Sequence, residues 1–195
     1  AELVENLSSE AQHLVLIAQK VEHGVRLSLL TPEGRSWRKF SFSVEELSTA
    51  ASILKSFGVE RVHVHHALEI MEGMSAFLAS LDCPYLLSVH DYSLICPRNN
   101  LIGSKGMYCG EPDEQGCLAC LRREPAARSR DILLWRHLGV ELLEGAQRVI
   151  CPTIDVAARL RRYAPDANVI VVPHEASLYN PLRSYKATAL GVGET

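Results

Sequence analysis

The chain has 195 residues, 47% of them hydrophobic and 22% charged, with a formal net charge of −3. This length suits one domain and the composition is that of a globular one, so a single domain over 1–195 is expected. A near-neutral balance offers no basic face for nucleic acid, and no apolar stretch approaches the roughly 20 residues that cross a bilayer.

The opening third reads as a meander. Leu14–Ala18 and Arg26–Leu30 are short strands on either side of the turn-like Glu22-His23-Gly24, and Trp37–Phe42 alternates as a third. Ser43 and Glu46 then form an S-x-x-E capping box, with Val44, Leu47, Ala51 and Leu54 on one helical face and Gly58 as the stop. Val62–His65 is a strand, and Ile70, Met74, Phe77, Leu78 and Leu81 fall at helical spacing. Pro84 leads into the strand Tyr85–Val89. After an irregular segment, Ile132, Trp135, Leu138, Leu142 and Ala146 mark a helix. Arg148–Ile150, Asp155–Tyr163 and Val169–Val172 follow as strand, helix and strand.

Alternating strands and helices imply an α/β fold, with a mostly parallel sheet and helices on both faces. Such sheets bind ligands outside the carboxyl ends of their strands. Here those ends carry His65-His66, His90-Asp91, Pro152-Thr153 and Pro173-His174. His63 and His65 alternate with valines and so share one sheet face; hydrogen-bonded packing between sheet and helix is the plain reading for both. His66 leaves the sheet at the crevice, and His90-Asp91 is placed alike. An H-x-H pair with Asp91 also suits the metal site of a metallohydrolase, but barrel hydrolases of that type need about 250 residues.

Four of the six cysteines lie in one insert, about 96–120: Cys96, Cys109, Cys117 and Cys120, spaced C-x12-C-x7-C-x2-C. Gly103, Gly106, Gly110, Pro112 and Gly116 argue against regular structure there, and a loop of this length needs a staple. Four thiolates suit a closed structural zinc site. Two disulfides, disfavoured by a reducing compartment, and unliganded thiols are the competing readings. Cys83 and Cys151 adjoin apolar runs and read as packing residues.

Val62-His63-Val64-His65-His66, followed by Ser88-Val89-His90-Asp91-Tyr92-Ser93-Leu94-Ile95-Cys96-Pro97-Arg98, resembles the N-terminal domain of retaining GT-B glycosyltransferases of family 4. Val149–Thr153 is similar to the strand and Pro-Ser segment of that family, and Val171–Glu175 stands where many members have Pro-Asn-Gly. The H-D-Y…C-P-R block with its trailing cysteines is the most specific part. The resemblance implies a Rossmann-like acceptor-side domain, a nucleotide-sugar donor, a carbohydrate-type acceptor, and transfer in a cleft without a required metal. It gives His90 a place near the transferred sugar and makes His90 and Asp91 the catalytic candidates. It makes His66, Thr153, His174 and Glu175 candidates for the cleft wall. It also implies a C-terminal Rossmann-like domain with the donor site. That domain is too large to share this chain, so the chain is expected to be an inactive fragment by itself.

The start Ala1-Glu2-Leu3 and the stop at Thr195 read as the ends of an excised piece. No basic-then-apolar signal opens the sequence, so a soluble, cytoplasmic protein is expected. A non-catalytic α/β interaction module stapled by zinc is the alternative function. Arg122, Arg123, Arg128 and Arg130, and also Arg159, Arg161 and Arg162, are either solvated helix faces or patches for peripheral contact with an anionic membrane.

Overall fold

The computed structural model describes residues 15–21, 24–30, 36–43, 46–103, 106–126 and 131–173. The first three strands, β1 (Val15–Val21), β2 (Gly24–Leu30) and β3 (Ser36–Phe42), form an antiparallel sheet in chain order. The expected meander is therefore present, with β1 longer than the apolar run suggested. Leu14, Glu22, His23 and Val44 lie outside the described residues.

A second sheet carries the α/β part. Its strands β4 (Val62–Val64), β5 (Tyr85–Ser88), β6 (Arg148–Cys151) and β7 (Val169–Val171) lie in chain order, all parallel. Helix α1 (Leu47–Ser56) precedes β4, and a 3-10 turn (Leu68–Ile70) and α2 (Met71–Leu81) connect β4 to β5. The helices α3 (Glu114–Arg123) and α4 (Ile132–Gly145) lie between β5 and β6, and α5 (Ile154–Tyr163) between β6 and β7. No helix among the described residues is long and apolar enough to cross a membrane.

Local chemistry sets several boundaries. At the start of α1, Glu46 accepts the Ser43 N–H at 2.9 Å, one half of a capping box, while the helix itself gains no side-chain cap. Gly58 closes that helix at φ +76°, a left-handed turn that needs no Cβ. Asp131 caps α4 by accepting from Leu133 and Leu134, and Thr153 caps α5 by accepting from Val156.

The strands alternate sharply in burial. Val64, Leu87, Val149, Cys151 and Val169 point into one core with Leu78, Leu81, Leu142, Leu143 and Leu160 from the helices. Each fully buried leucine contributes about 1.5–3 kcal/mol. The opposite face carries His63, Leu86, Ser88, Arg148, Ile150 and Ile170, all half-buried or exposed. A parallel four-stranded sheet with five helices is the expected α/β, Rossmann-like arrangement.

The cysteine insert also departs from expectation. It is not irregular throughout, because α3 begins at Glu114 and carries Cys117 and Cys120. Asp113 nucleates this helix by accepting the Gly116 N–H at 2.9 Å.

Candidate active site at the carboxyl edge of the parallel sheet

The crevice lies where β4 and β5 end, lined by His65, His66, Ala67, Ser88, His90 and Asp91 among others. Parallel pairing of Val64 with Leu87 brings the two following loops side by side. His66 Nε2 then lies 3.2 Å from Asp91 Oδ2, and His65 Nδ1 lies 3.1 Å from His90 Nε2. Further back, His63 Nε2 is 2.9 Å from Ser88 Oγ. The expectation that His63 and His65 share a face holds. Their partners, however, come from the neighbouring strand and its loop rather than from a covering helix.

The Asp91 carboxylate is fixed from two sides. Oδ1 accepts the Ser93 N–H at 2.8 Å while Oδ2 faces His66. Burial acts to raise its pKa, but the hydrogen bonds from Ser93 and His66 prevail and hold it below the ordinary carboxylate value. His65 moves the other way. Burial first, and then the like charges of His63 and His90, lower it to about 4, so it is neutral near pH 7. His63 is lowered by burial and by His90. The crevice therefore presents the Asp91 anion close to a neutral His65 ring.

The loop after His90 is held by close packing that composition could not reveal. A Cβ on Gly139 would meet the Leu94 carbonyl oxygen at 1.8 Å, so only glycine lets α4 come this close. Trp135 Nε1 donates to the Ser93 carbonyl at 2.6 Å, and Arg136 Nε donates to the Ile95 carbonyl at 3.2 Å.

Other candidates are placed differently. Thr153 is exposed, its hydroxyl oxygen accepting the Val156 N–H at 3.2 Å, and it does not line this crevice. His174 and Glu175 lie outside the described residues.

The insert is anchored through Glu111, whose position the sequence did not single out. Its side chain is 2% exposed and accepts from Tyr163, Arg162, Arg159 and Tyr108. This occupies Arg159 and Arg162 of α5, and Arg161 donates to the Val169 carbonyl at 3.0 Å. All three arginines of that basic group thus make contacts within the fold. Arg122 and Arg123 lie in the last turn of α3, while Arg128 and Arg130 lie outside the described residues.

All six cysteines are free thiols. Arg98 donates its backbone N–H to Cys96 Sγ, Glu111 donates its own to Cys109 Sγ at 3.4 Å, and Arg136 Nη2 donates to Cys117 Sγ at 3.2 Å. Burial raises the Cys96 and Cys117 thiols. Cys151 is buried and pushed up to about 11, whereas Cys83 is half-buried. Among the described residues, no group of three or more His, Cys, Asp or Glu side chains is arranged to hold a metal ion. For the metallohydrolase reading the reason is visible: His63, His65 and Asp91 turn to three different partners.

The profile of the family described as Glycosyltransferase Family 4 matches residues 1–174. The chain belongs to glycosyltransferase family 4. The match runs through both sheets and the crevice, and supports the N-terminal domain of a GT-B enzyme. No curated protein and no solved structure matches the chain at a significant level.

Proposed function

We propose that this chain is the acceptor-side domain of a retaining glycosyltransferase, which moves a sugar from a nucleotide-sugar donor to a glycan, lipid-linked or protein acceptor. The observation that carries this reading is the family match together with a polar crevice at the carboxyl edge of the parallel sheet, formed by His66, His90 and Asp91. Transfer from a nucleotide diphosphate builds positive charge at the anomeric carbon and negative charge on the leaving phosphates. Positioned dipoles answer the first need. On this reading His90, exposed at the crevice, hydrogen-bonds the transferred sugar. Asp91, anionic and held by Ser93 and His66, favours the positive sugar carbon and accepts from acceptor hydroxyls. A C-terminal Rossmann-like domain supplies the donor site, and its closure excludes water. The 195-residue chain alone is inactive on this reading, and the working site is cytoplasmic.

We further propose that Cys96, Cys109, Cys117 and Cys120 hold a structural zinc ion. Four cysteines are the donor set of a closed zinc site, and N–H groups point at three of the sulfurs, which offsets part of the burial that raises Cys96 and Cys117. Binding requires a rearrangement that brings the four sulfurs together, since the described side chains form no metal-holding group.

The deciding measurement is nucleotide diphosphate release from a panel of nucleotide sugars. It compares the natural protein that carries this chain, its His90→Ala variant and the 195-residue chain. Release by the first, lost in the other two, is expected. Undiminished release by His90→Ala would remove the crevice from the reaction.

A further inference from the structure

We infer that Tyr92 is a positioning residue: tethered to Asp155 of α5, and through Arg159 to Glu111 of the cysteine insert, it holds Asp91 opposite His66. Its role in transfer rests on the glycosyltransferase reading above, whereas the tether itself does not.

Along the loop after β5, neighbouring side chains part ways. Asp91 and Ser93 line the crevice, whereas Tyr92 between them packs half-buried against the core. Its hydroxyl donates to the Asp155 carboxylate in the first turn of α5. Burial first, and then the Asp155 charge, raise the phenol pKa, so this hydroxyl keeps its proton. The Tyr92 backbone is engaged as well. Its N–H donates to the Asn99 carbonyl at 2.8 Å, and its carbonyl accepts from Ile95 at 3.1 Å and Cys96 at 2.9 Å. A shift of Tyr92 therefore carries the whole turn with it, including the Ser93 N–H that Asp91 accepts at 2.8 Å.

An exposed carboxylate by itself is a weak anchor, because solvent competes for it. Asp155 is 65% exposed but is not alone. Arg159 Nε donates to Asp155 Oδ2 at 2.8 Å, while Nη1 donates to the Tyr108 hydroxyl at 2.6 Å and to Glu111 Oε1. One planar guanidinium thus joins two carboxylates in a rigid fork, which an ammonium group does not reproduce. Glu111 also accepts from Arg162 at 2.7 Å and Tyr163 at 3.0 Å, so the far end of the relay is fixed. On the other flank, Trp135 and Arg136 of α4 hold the Ser93 and Ile95 carbonyls. The Asp91 loop is clamped between two helices, and Tyr92 is the α5 side of the clamp. It is an anchor rather than a platform for a sugar ring, since it does not line the crevice.

The test is a carbon NMR titration of the aspartate-labelled 195-residue chain. The Ser93 and His66 hydrogen bonds hold Asp91 below the ordinary carboxylate value. Loosening the turn weakens them, while a loss of global stability alone leaves a folded-state pKa where it is. Tyr92→Phe keeps the ring and removes one hydroxyl, and should raise the Asp91 pKa by about half a unit. Arg159→Lys keeps the charge and loses the fork; it should raise Asp91 likewise, yet add nothing in the Tyr92→Phe background, where the link is already cut. An unmoved Asp91 in either single variant, or full additivity of the two, would overturn the inference. In the natural protein, Tyr92→Phe should lower kcat about fivefold, the worth of one hydrogen bond, with little change in acceptor KM. Undiminished kcat in Tyr92→Phe, with a raised acceptor KM in Tyr92→Ala, would make Tyr92 a sugar platform instead and also overturn it. Variants that shift Asp91 in a protein that releases no nucleotide diphosphate would overturn the glycosyltransferase reading and leave the tether standing.

Discussion

His65, His63, Asp91 and Glu111 all titrate away from their ordinary values, and the directions separate two pH windows. His63 and His65 are lowered, chiefly by burial. Between about 6.5 and about 4 the unfolded chain takes up protons that folded His65 refuses. Stability therefore falls as pH drops through this window, by an amount that solvent screening of the half-exposed rings reduces. Urea midpoints measured from pH 7.5 to pH 4.5 should decline in the wild type and decline less in His65→Leu; parallel curves would show that His65 is not the titrating group. Glu111 belongs to the lower window. Burial acts to raise it, but hydrogen bonds from Tyr108, Tyr163, Arg159 and Arg162 lower it, so its contribution is complete above the unfolded carboxylate value and fades below it. Glu111→Gln should cost about 2 kcal/mol near pH 7, since a buried acceptor of charge-assisted bonds is lost and its arginines are partly solvated. An unchanged denaturation midpoint would show that the insert is held elsewhere. His66, His90 and Asp91 were legible from their place at strand ends. Glu111 was not, because a lone glutamate in a glycine-rich stretch has no pattern; only folding sets it against two arginines 48 and 51 residues away.

At the scale of elements, α4 decides the position of the His90–Cys96 loop. Gly139→Ala in an ordinary helix would gain up to about 1 kcal/mol. Here the new Cβ would fall 1.8 Å from the Leu94 carbonyl oxygen, and backbone cannot yield as a flexible side chain does. The sign reverses, and a loss of about 1–3 kcal/mol is expected from overpacking. A thermal midpoint at or above wild type would show that α4 does not bear on this loop. Helix α3 carries the metal prediction. Its Cys117 and Cys120 are one turn apart, and Cys117 already accepts from Arg136. Protein purified without added zinc should contain about one zinc per chain, lost in Cys117→Ser; four free thiols without metal would refute the staple. The strands and the other four helices were readable because periods of 2 and 3.6 are visible in apolar residues. Helix α3 was not. It buries only Leu121, and Gly116 and the preceding Pro112 mimic loop signals, so its start depends on the Asp113 cap.

At the scale of the whole molecule, charge argues for a division of labour. The described residues lining the crevice include no lysine or arginine, and Asp91 supplies negative charge. Nearby Arg159 and Arg162 are committed to Glu111 and Asp155. The start of α5 offers helix-end N–H groups, which favour anions. The Thr153 cap and the first-turn Asp155 already answer that field. A nucleoside diphosphate thus finds little here to offset its charge, and loss of translational freedom on binding weighs against it. Titration calorimetry with nucleoside diphosphates should show dissociation constants above about 1 mM for the 195-residue chain and micromolar values for the natural protein, a difference of about 4 kcal/mol. Micromolar binding by the chain alone would place the donor site in this domain and overturn the assignment of the diphosphate to a second one.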